Sequence, residues 1–322
     1  MIIKDRPIPY IIFQLEALLR RIPKNYPKRP QVENDLNKWW ASYRGEQSVD
    51  YHLEILSKND YSILHSLRLN NDKNFFQIDT TLLSTKFYLI IDTKNISGKI
   101  HFDKKNRQLI QTKDGEEKSL PDPISQALRH KIQLQKWLKS HGMPILPIEY
   151  LVVISNSSTI ITADPNYHEV QQYVCKPDNL ALKILELEQK YQKTLTQVKM
   201  IQKLGQLLIR SHTPLRSDIL QNYKINKCDI RTGAQCPKCH EFSMEYKRGS
   251  WHCKLCHTKT GDAHLQAIED YFLLHGPEAT NADFREFLHL PSQRKTAYLV
   301  EKLHLPTSGT KKGMIYHQPP IK

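Results

Sequence analysis

The sequence has few acidic residues for its number of basic ones, and it lacks any long apolar run. Among its 322 residues, 33 are Asp or Glu against 47 Lys or Arg, which gives a formal net charge of +14. No stretch reaches the roughly 18 to 20 uncharged apolar residues that a bilayer span requires. The short apolar stretch 8–13 is soon followed by Glu16, so it is too short for the apolar region of a secretion signal. We therefore expect a soluble, cytoplasmic protein.

The excess of basic residues predicts a polyanionic partner. Residues 1–230 carry 34 basic and 24 acidic side chains and residues 231–322 carry 13 and 9, so both parts contribute to the charge. Long-range attraction favours nucleic acid first and an anionic membrane surface second. Hydrophobic residues make up 39% of the chain in well-spaced runs, which indicates a packed core rather than wholesale disorder.

Changes in the hydrophobic period predict five consecutive segments. In chain order we predict a helical lead-in, an α/β core, a helical linker, a cysteine-containing segment and a helical C-terminal segment. The core begins with one helix, continues with several strands, and ends with a second helix and further strands. Their predicted bounds are 1–41, 42–165, 166–230, 231–260 and 261–322.

The linker carries a long amphipathic pattern. It predicts one helix over 178–211, broken by Gly205. A packing role is its simplest interpretation, and a surface for a protein partner or a homo-oligomer is the other.

Two strands predicted over 75–83 and 87–93 bring acidic side chains together. Asp92 and Lys94 are two residues apart, so their side chains leave the same face of a strand. If the strands pair as a hairpin whose partner numbers sum to 171, Asp79 lies opposite Asp92. A buried unpaired carboxylate costs several kcal/mol, and a divalent cation between the two carboxylates removes that cost.

These side chains suit phosphodiester hydrolysis. Hard carboxylate oxygens favour Mg²⁺ or Mn²⁺, and a neighbouring lysine orients water and stabilises negative charge at phosphorus. Glu46 is predicted to join them, because it lies on one helical stripe with Val49 and Leu53 and a carboxylate there needs a partner. The alternative is an ordinary surface salt bridge between Asp92 and Lys94.

The order of these parts resembles the nuclease-related domain (NERD) family of the PD-(D/E)xK nuclease superfamily. The resemblance covers residues 42–165, from Gly45-Glu46 to the helix that follows Asp122-Pro123. Its most specific piece is the string acid-x-Lys-Asn-x-x-Gly after an apolar strand, here residues 92–98. The resemblance implies an α/β (α+β) fold with a restriction-endonuclease-like mixed sheet flanked by helices, and a metal-dependent nuclease.

Site residues follow from the same resemblance, position by position. It implies that Glu46, Asp79 and Asp92 bind the metal. It also implies that Lys94 positions the attacking water and that Gln126 supports the site from the following helix. The chain departs from the family pattern at Asp92, where members commonly have Glu, and at the residue before Pro123, where they commonly have Asn.

Four cysteines occur as two C-x-x-C pairs separated by thirteen residues, at Cys236, Cys239, Cys253 and Cys256. This spacing is typical of four-thiolate structural zinc sites, in which two knuckles supply a closed tetrahedral set of ligands. A pair of redox dithiols is the alternative. We predict a zinc ribbon over 231–260.

The C-terminal segment predicts three short helices. Thr280 to Asp283 forms a capping box, and a further helix over 292–303 begins with Gln293, Arg294 and Lys295. Basic and amide side chains at the start of such a helix fit a helix-turn-helix or winged helix that binds nucleic acid. A small helical cap over the zinc ribbon is an equal alternative.

Together these features predict a nuclease that uses Mg²⁺ or Mn²⁺ for catalysis and Zn²⁺ for structure, with DNA as the preferred substrate. In this hypothesis the zinc ribbon and the C-terminal segment bind the nucleic acid. Two other hypotheses remain: a catalytically inactive nucleic-acid-binding protein, and an adaptor that recruits a protein partner. The three differ in what they require of Asp79, Asp92 and Lys94.

Overall fold

The computed structural model describes residues 1–56, 60–71 and 74–320, which divide into two compact units. The first unit comprises Met1–Ile8 and Trp40–Leu215, and the second comprises Pro9–Trp39 and Arg216–Lys322. No helix in these described ranges is long and apolar enough to cross a bilayer.

Ten α-helices are assigned within the described residues. They are α1 (Tyr10–Arg21), α2 (Arg29–Leu53), α3 (Pro123–Ser140), α4 (His168–Tyr173), α5 (Leu180–Lys190), α6 (Val198–Ser211), α7 (Ile219–Tyr223), α8 (His264–His275), α9 (Asn281–Phe287) and α10 (Gln293–Glu301).

Sixteen strands are assigned within the same residues. They are β1 (Ile2–Lys4), β2 (Ser62–Asn71), β3 (Asn74–Leu83), β4 (Tyr88–Lys94), β5 (Lys99–Asp103), β6 (Gln108–Lys113), β7 (Glu116–Pro121), β8 (Ile148–Ile154), β9 (Ile160–Ala163), β10 (Val174–Cys175), β11 (Met244–Lys247), β12 (Ser250–Cys253), β13 (Lys259–Thr260), β14 (Glu278–Thr280), β15 (Thr307–Ser308) and β16 (Ile315–His317).

A six-stranded mixed sheet, in the order β1-β2-β3-β4-β8-β10, forms the centre of the first unit. The strands β2, β3 and β4 are antiparallel, whereas β4, β8 and β10 are parallel. Alternate residues of β4 face opposite layers: Ile90 packs in a core with α3 and α6, and Ile91 packs in a core with α2 and α5. Burial on both faces explains the continuous apolar run of β4. The predicted mixed sheet flanked by helices is confirmed.

The single helix predicted over 178–211 is wrong. The segment forms α5 and α6, and they are separated by residues 191–197. Gly205 lies inside α6 and does not break it. A Cβ at this position would lie 2.5 Å from Cδ1 of Ile3, which explains why the residue is a glycine. The glycine is a close-packing position against β1. The buried face of α6 contacts the core of its own unit, as the predicted packing role requires, and a surface for a protein partner stays a prediction.

The second unit contains two small sheets that share one hydrophobic core. Strands β11, β12 and β13 form the sheet of the cysteine segment, and β14, β16 and β15 form the other in that order. Helices and strands of the C-terminal part alternate as α8-β14-α9-α10-β15-β16, with the last strand in the middle of the sheet. This is the arrangement of a winged helix. Trp251 of β12 packs in the same core as Phe272 and Phe284, so the helices also cover the ribbon.

Candidate metal centre and nucleic-acid interface

The hairpin of β3 and β4 sets the position of the two central carboxylates. Its pairs run from Leu83 opposite Tyr88 to Thr80 opposite Ile91, so partner numbers sum to 171, as predicted. Asp79 follows the last pair, and its Oδ2 accepts a hydrogen bond of 2.9 Å from the backbone N–H of Thr93. The main chain of β4 thus fixes the carboxylate of Asp79 beside the strand that carries Asp92.

Asp92 is a buried carboxylate with incomplete pairing. It is 1% exposed, and its Oδ2 lies 2.9 Å from Nζ of Lys94. This separation allows an ion pair, but neither oxygen of Asp92 has a partner with hydrogen-bond geometry in the described part of the chain. The pair is therefore not a surface salt bridge. A buried carboxylate in this state favours a cation nearby, because attraction to the cation offsets its lost hydration.

His130 of α3 is a neighbour that the sequence interpretation missed. Its Nδ1 lies 3.6 Å from Oδ1 of Asp92 and has no hydrogen-bond partner among the described residues. The helix is anchored by Asp122, whose carboxylate accepts from the backbone N–H groups of Ile124 and Ser125. The sequence spacing could have identified His130, because this residue follows Gln126 by four positions and so lies on the same face of the helix.

Gln126 itself lies in the first turn of α3 and is half-buried. Its side chain makes no hydrogen bond to another described residue, whereas its backbone N–H donates to the carbonyl of Asp122 at 3.1 Å. The structure therefore brings His130 to Asp92, whereas Gln126 makes no hydrogen bond to Asp79, Asp92 or Glu46 among the described residues. A role for Gln126 stays a prediction.

Arg6 holds Glu46 at the edge of the site. The guanidinium forms ion pairs with Glu46 and Asp50, the latter at 2.7 Å, and its side chain is 4% exposed. It also donates to the carbonyl of Asp79 at 3.1 Å and to Oγ1 of Thr80 at 2.8 Å. Arg6 therefore ties α2 to β3. Asp50 could have been found from its i+4 spacing to Glu46, but nothing in the sequence pointed to Arg6.

Small and amide residues of the motif bring α2 close to the end of β4. A Cβ on Gly45 would lie 2.7 Å from Oγ of Ser155 and 2.8 Å from Cβ of Asn95. Asn95 in turn donates to the carbonyl of Ala41 at 2.6 Å. Gly98 adopts φ +88°, and a Cβ there would lie 2.5 Å from the carbonyl oxygen of Thr112. These contacts explain why the string requires Asn and Gly after the lysine.

Burial and neighbouring negative charge raise the pKa of two of the acids, Glu46 and Asp79. Burial, then the negative charge of Asp79, raises the pKa of Glu46 to about 7. Burial, then the charge of Asp92, raises the pKa of Asp79. For Lys94, burial lowers the pKa, but attraction to Asp92 and Asp79 outweighs it, so that its pKa is raised. The site therefore holds an excess of negative charge, which an added cation would stabilise.

The acids do not form one closed ligand cage. In the described ranges, only the four cysteines form a group of three or more Cys, His, Asp or Glu residues whose ligand atoms all lie within 4.8 Å of one another. Mg²⁺ usually keeps several waters and takes one or two carboxylates from the protein. The carboxylate of Asp92, whose Oδ1 has no hydrogen-bond partner among the described residues, fits such a hydrated ion together with Asp79, whereas Glu46 is engaged by Arg6.

The four cysteines have the geometry of a tetrahedral site. Their sulfurs are free of disulfides, and the pairs Cys236–Cys256 and Cys239–Cys253 are 3.5 and 3.6 Å apart. Sulfurs on one zinc are about 3.8 Å apart for bonds of about 2.3 Å. The backbone N–H of Cys256 and then the hydroxyl of Ser243 lower the pKa of Cys253 to about 5. The thiolate form that zinc requires is thus favoured at Cys253.

Exposed basic side chains lie at the start of α10. Ser292 caps the helix by accepting from the backbone N–H of Lys295 at 3.3 Å. Gln293, Arg294 and Lys295 are exposed, while Thr296, Leu299 and Val300 are buried. Neither Arg294 nor Lys295 forms an ion pair with a described residue. Their charges are available to an external anion such as phosphate.

Comparison with known proteins locates a family match in the first unit. Residues 41–155 match the family model of the nuclease-related domain (NERD). An uncharacterized Bacillus anthracis protein, pXO1-01, is 25% identical over 137 residues, which cover 42% of this chain and 62% of the relative. The crystal structure of protein VC1899 from Vibrio cholerae aligns with a TM-score of 0.26 and 11% identity, covering 52% of this chain and 37% of that one. This structural likeness is too low to support an argument.

Proposed function

We propose that the nuclease-related domain matched at residues 41–155 is an active, metal-dependent nuclease that cleaves DNA. The observation that supports it best is the buried carboxylate of Asp92: its Oδ2 lies 2.9 Å from Nζ of Lys94, and its Oδ1 has no hydrogen-bond partner in the described part of the chain. Such a pair is costly in a scaffold, and it is useful where a divalent cation and a phosphate meet. The single relative reported above is matched over less than two thirds of its length, so the substrate is part of the proposal.

We assign metal binding to the acids and positioning of the attacking water to the lysine. Asp79 and Asp92 would hold Mg²⁺ or Mn²⁺, and Glu46 would join them if Arg6 releases it. The bound cation supplies Lewis-acid stabilisation of negative charge on the phosphate. The ammonium of Lys94, held beside Asp92 at 2.9 Å, orients the attacking water and donates to the charge that develops on the phosphate oxygens. Gln126 supports the substrate side from the first turn of α3.

The second unit would hold the nucleic acid. A zinc ion bound by Cys236, Cys239, Cys253 and Cys256 would stabilise the ribbon over 231–260. The exposed start of α10 would place Arg294 and Lys295 on the DNA in the manner of a winged helix. The net charge of +4 of residues 231–322 is consistent with phosphate contacts.

One observation favours the inactive binding protein as a second candidate. Glu46 is already neutralised by Arg6, and the acids do not close into a cage. Incubation of the purified protein with supercoiled, linear and single-stranded DNA, with Mg²⁺, Mn²⁺ or EDTA, distinguishes the two. Cleavage that requires a divalent ion supports the nuclease. Binding of the same substrates without cleavage under any of these conditions supports the inactive module.

Asp79→Asn is expected to weaken metal binding and cleavage together. The amide oxygen can still accept from the backbone N–H of Thr93, so the fold is retained, but the Coulomb attraction to a divalent ion is lost. Isothermal titration with Mn²⁺ and a cleavage assay measure the two effects.

Asp114→Asn is the matched control, because Asp114 is exposed in the turn between β6 and β7 with φ 52°, a conformation that Asn accepts. Unchanged Mn²⁺ affinity in Asp79→Asn would remove Asp79 from the metal site.

Arg294→Ala is expected to weaken DNA binding and to lower its dependence on salt. One lost phosphate contact reduces the slope of log K against log salt by about 1. Fluorescence anisotropy at several salt concentrations measures that slope. Lys24→Ala, at another exposed basic position of the second unit, is the control. Equal slopes in both variants and the wild type would place the DNA elsewhere.

A further inference from the structure

We propose that His130 is a nitrogen ligand of the divalent cation at Asp92, and that the site therefore takes Mn²⁺ in preference to Mg²⁺. The inference rests on the proposed metal-dependent function and adds to it a ligand that the family resemblance does not supply. It also assigns the cation class, which the acids alone leave open.

The side chains of His130 and Asp92 are separated by a distance that fits two ligands of one cation. Nδ1 of His130 and Oδ1 of Asp92 are 3.6 Å apart. Hydrogen bonds between nitrogen and oxygen span about 2.7 to 3.2 Å, so this separation is too long for one. Two donors that share one cation through bonds of about 2.1 Å are about 3.0 to 3.4 Å apart. The observed gap is therefore closer to that of two ligands than to that of a donor and acceptor.

Nδ1 of His130 and Oδ1 of Asp92 are both buried and lack a hydrogen-bond partner in the described part of the chain. Native structures rarely leave facing polar atoms in this state, and a site for a bound ion is one of the recognised reasons for it. Lys94 approaches the other oxygen, Oδ2, so it does not compete for the gap between Oδ1 and the imidazole.

The helix α3, which carries the imidazole, is held in place by its cap and by buried side chains. Asp122 caps α3 at its start, and Leu134 and Trp137, one and two turns after His130, are each 1% exposed. The ring is therefore held at its place by packing on both sides along the helix. A ligand on a fixed element is preorganised and loses little freedom when the ion binds.

The ligand type then selects the cation. Mg²⁺ is bound almost entirely by oxygen, whereas imidazole nitrogen binds first-row transition ions more strongly. A site with carboxylates of Asp92 and Asp79 and one imidazole combines both donor types. Of the two ions that suit phosphodiester hydrolysis here, Mn²⁺ accepts the nitrogen more readily.

The test is electron paramagnetic resonance of Mn²⁺ added to the full chain with its cysteine site filled by zinc and without nucleic acid. Bound Mn²⁺ should show electron spin echo modulation from a directly coordinated ¹⁴N. The modulation should disappear in His130→Asn and persist in His168→Asn, a control at an exposed histidine of the same unit. We expect His130→Asn to weaken Mn²⁺ binding by about tenfold or more and Mg²⁺ binding, measured by competition, by less than about threefold.

Bound Mn²⁺ without ¹⁴N coupling in the wild type would overturn the inference, and this measurement does not depend on any variant folding. Coupling that survives His130→Asn would also overturn it and assign the nitrogen to another imidazole, such as that of His65. In both cases Mn²⁺ binding that is lost in Asp79→Asn would leave the metal-dependent function standing. A chain that binds no Mn²⁺ but cleaves DNA with Mg²⁺ overturns the inference alone, and one that does neither overturns both.

Discussion

Lys94→Ala is expected to lower DNA cleavage by roughly 10²- to 10³-fold, the usual cost of removing one group that stabilises transition-state charge. Affinity for DNA should stay within about threefold, because one cation is a small part of a basic surface that extends over the whole chain. Single-turnover cleavage and anisotropy separate the two effects. The loss should fall on the chemical step, since Lys94 lies beside Asp92 and is largely buried.

The same substitution should change how the protein responds to metal. Without Lys94, the buried carboxylate of Asp92 has no cation beside it, and the metal-free variant should melt at a lower temperature than the wild type. Added Mn²⁺ should therefore raise the melting temperature more in Lys94→Ala than in the wild type.

Lys99→Ala, at an exposed lysine of β5, is the control for the loss of one positive charge. Wild-type cleavage by Lys94→Ala would remove Lys94 from the mechanism and favour the inactive binding protein.

Cys253→Ser is expected to abolish zinc binding and to unfold residues 231–260. Binding of structural zinc contributes roughly 10 to 16 kcal/mol to the folding of small zinc fingers, and loss of one thiolate removes most of it. The damage should extend further, because Cys253 and Trp251 share a hydrophobic core with Phe272 and Phe284 of the winged-helix part. Hydrogen exchange should show full loss of protection in the ribbon and partial loss in α8 and α9.

The first unit should keep its protection in this variant, since its two cores consist of its own residues. DNA binding should become weaker, and residual metal-dependent cleavage should remain at high protein concentration. Cys228→Ser, at an exposed cysteine outside the cluster, is the matched control. Wild-type protein with no zinc near one equivalent would contradict the ribbon, as would a Cys253→Ser variant that retains both zinc and protection.

Local patterns in the sequence predicted the elements that depend on local forces. Strands β3 and β4 lie within one residue of the strands predicted over 75–83 and 87–93, because the apolar pattern of a strand acts within a few positions. The capping box at Thr280 and Asp283 is present, since both of its hydrogen bonds lie within one turn. The four cysteines converge as their spacing predicted.

Predictions from local sequence patterns differ from the structure where a contact with a distant segment determines the local structure. The sequence predicts a helix break at Gly205, but this residue lies inside α6. Its missing side chain allows close packing on a strand about two hundred residues earlier in the chain. The lead-in over 1–41 contains β1 rather than helix alone, because residues 2–4 pair with β2. Helix propensity is a weak preference that such tertiary contacts override.

The candidate site divides in the same way. The strand pattern alone predicts that Asp79, Asp92 and Lys94 meet, because two adjacent strands and the turn between them fix which residues of β3 and β4 are paired. The contacts of Arg6 with Glu46 and of His130 with Asp92 arise only in the folded chain. These contacts join segments about forty residues apart. Their cause is the burial of charged groups between packed layers, which forces each to find a partner wherever the fold places one.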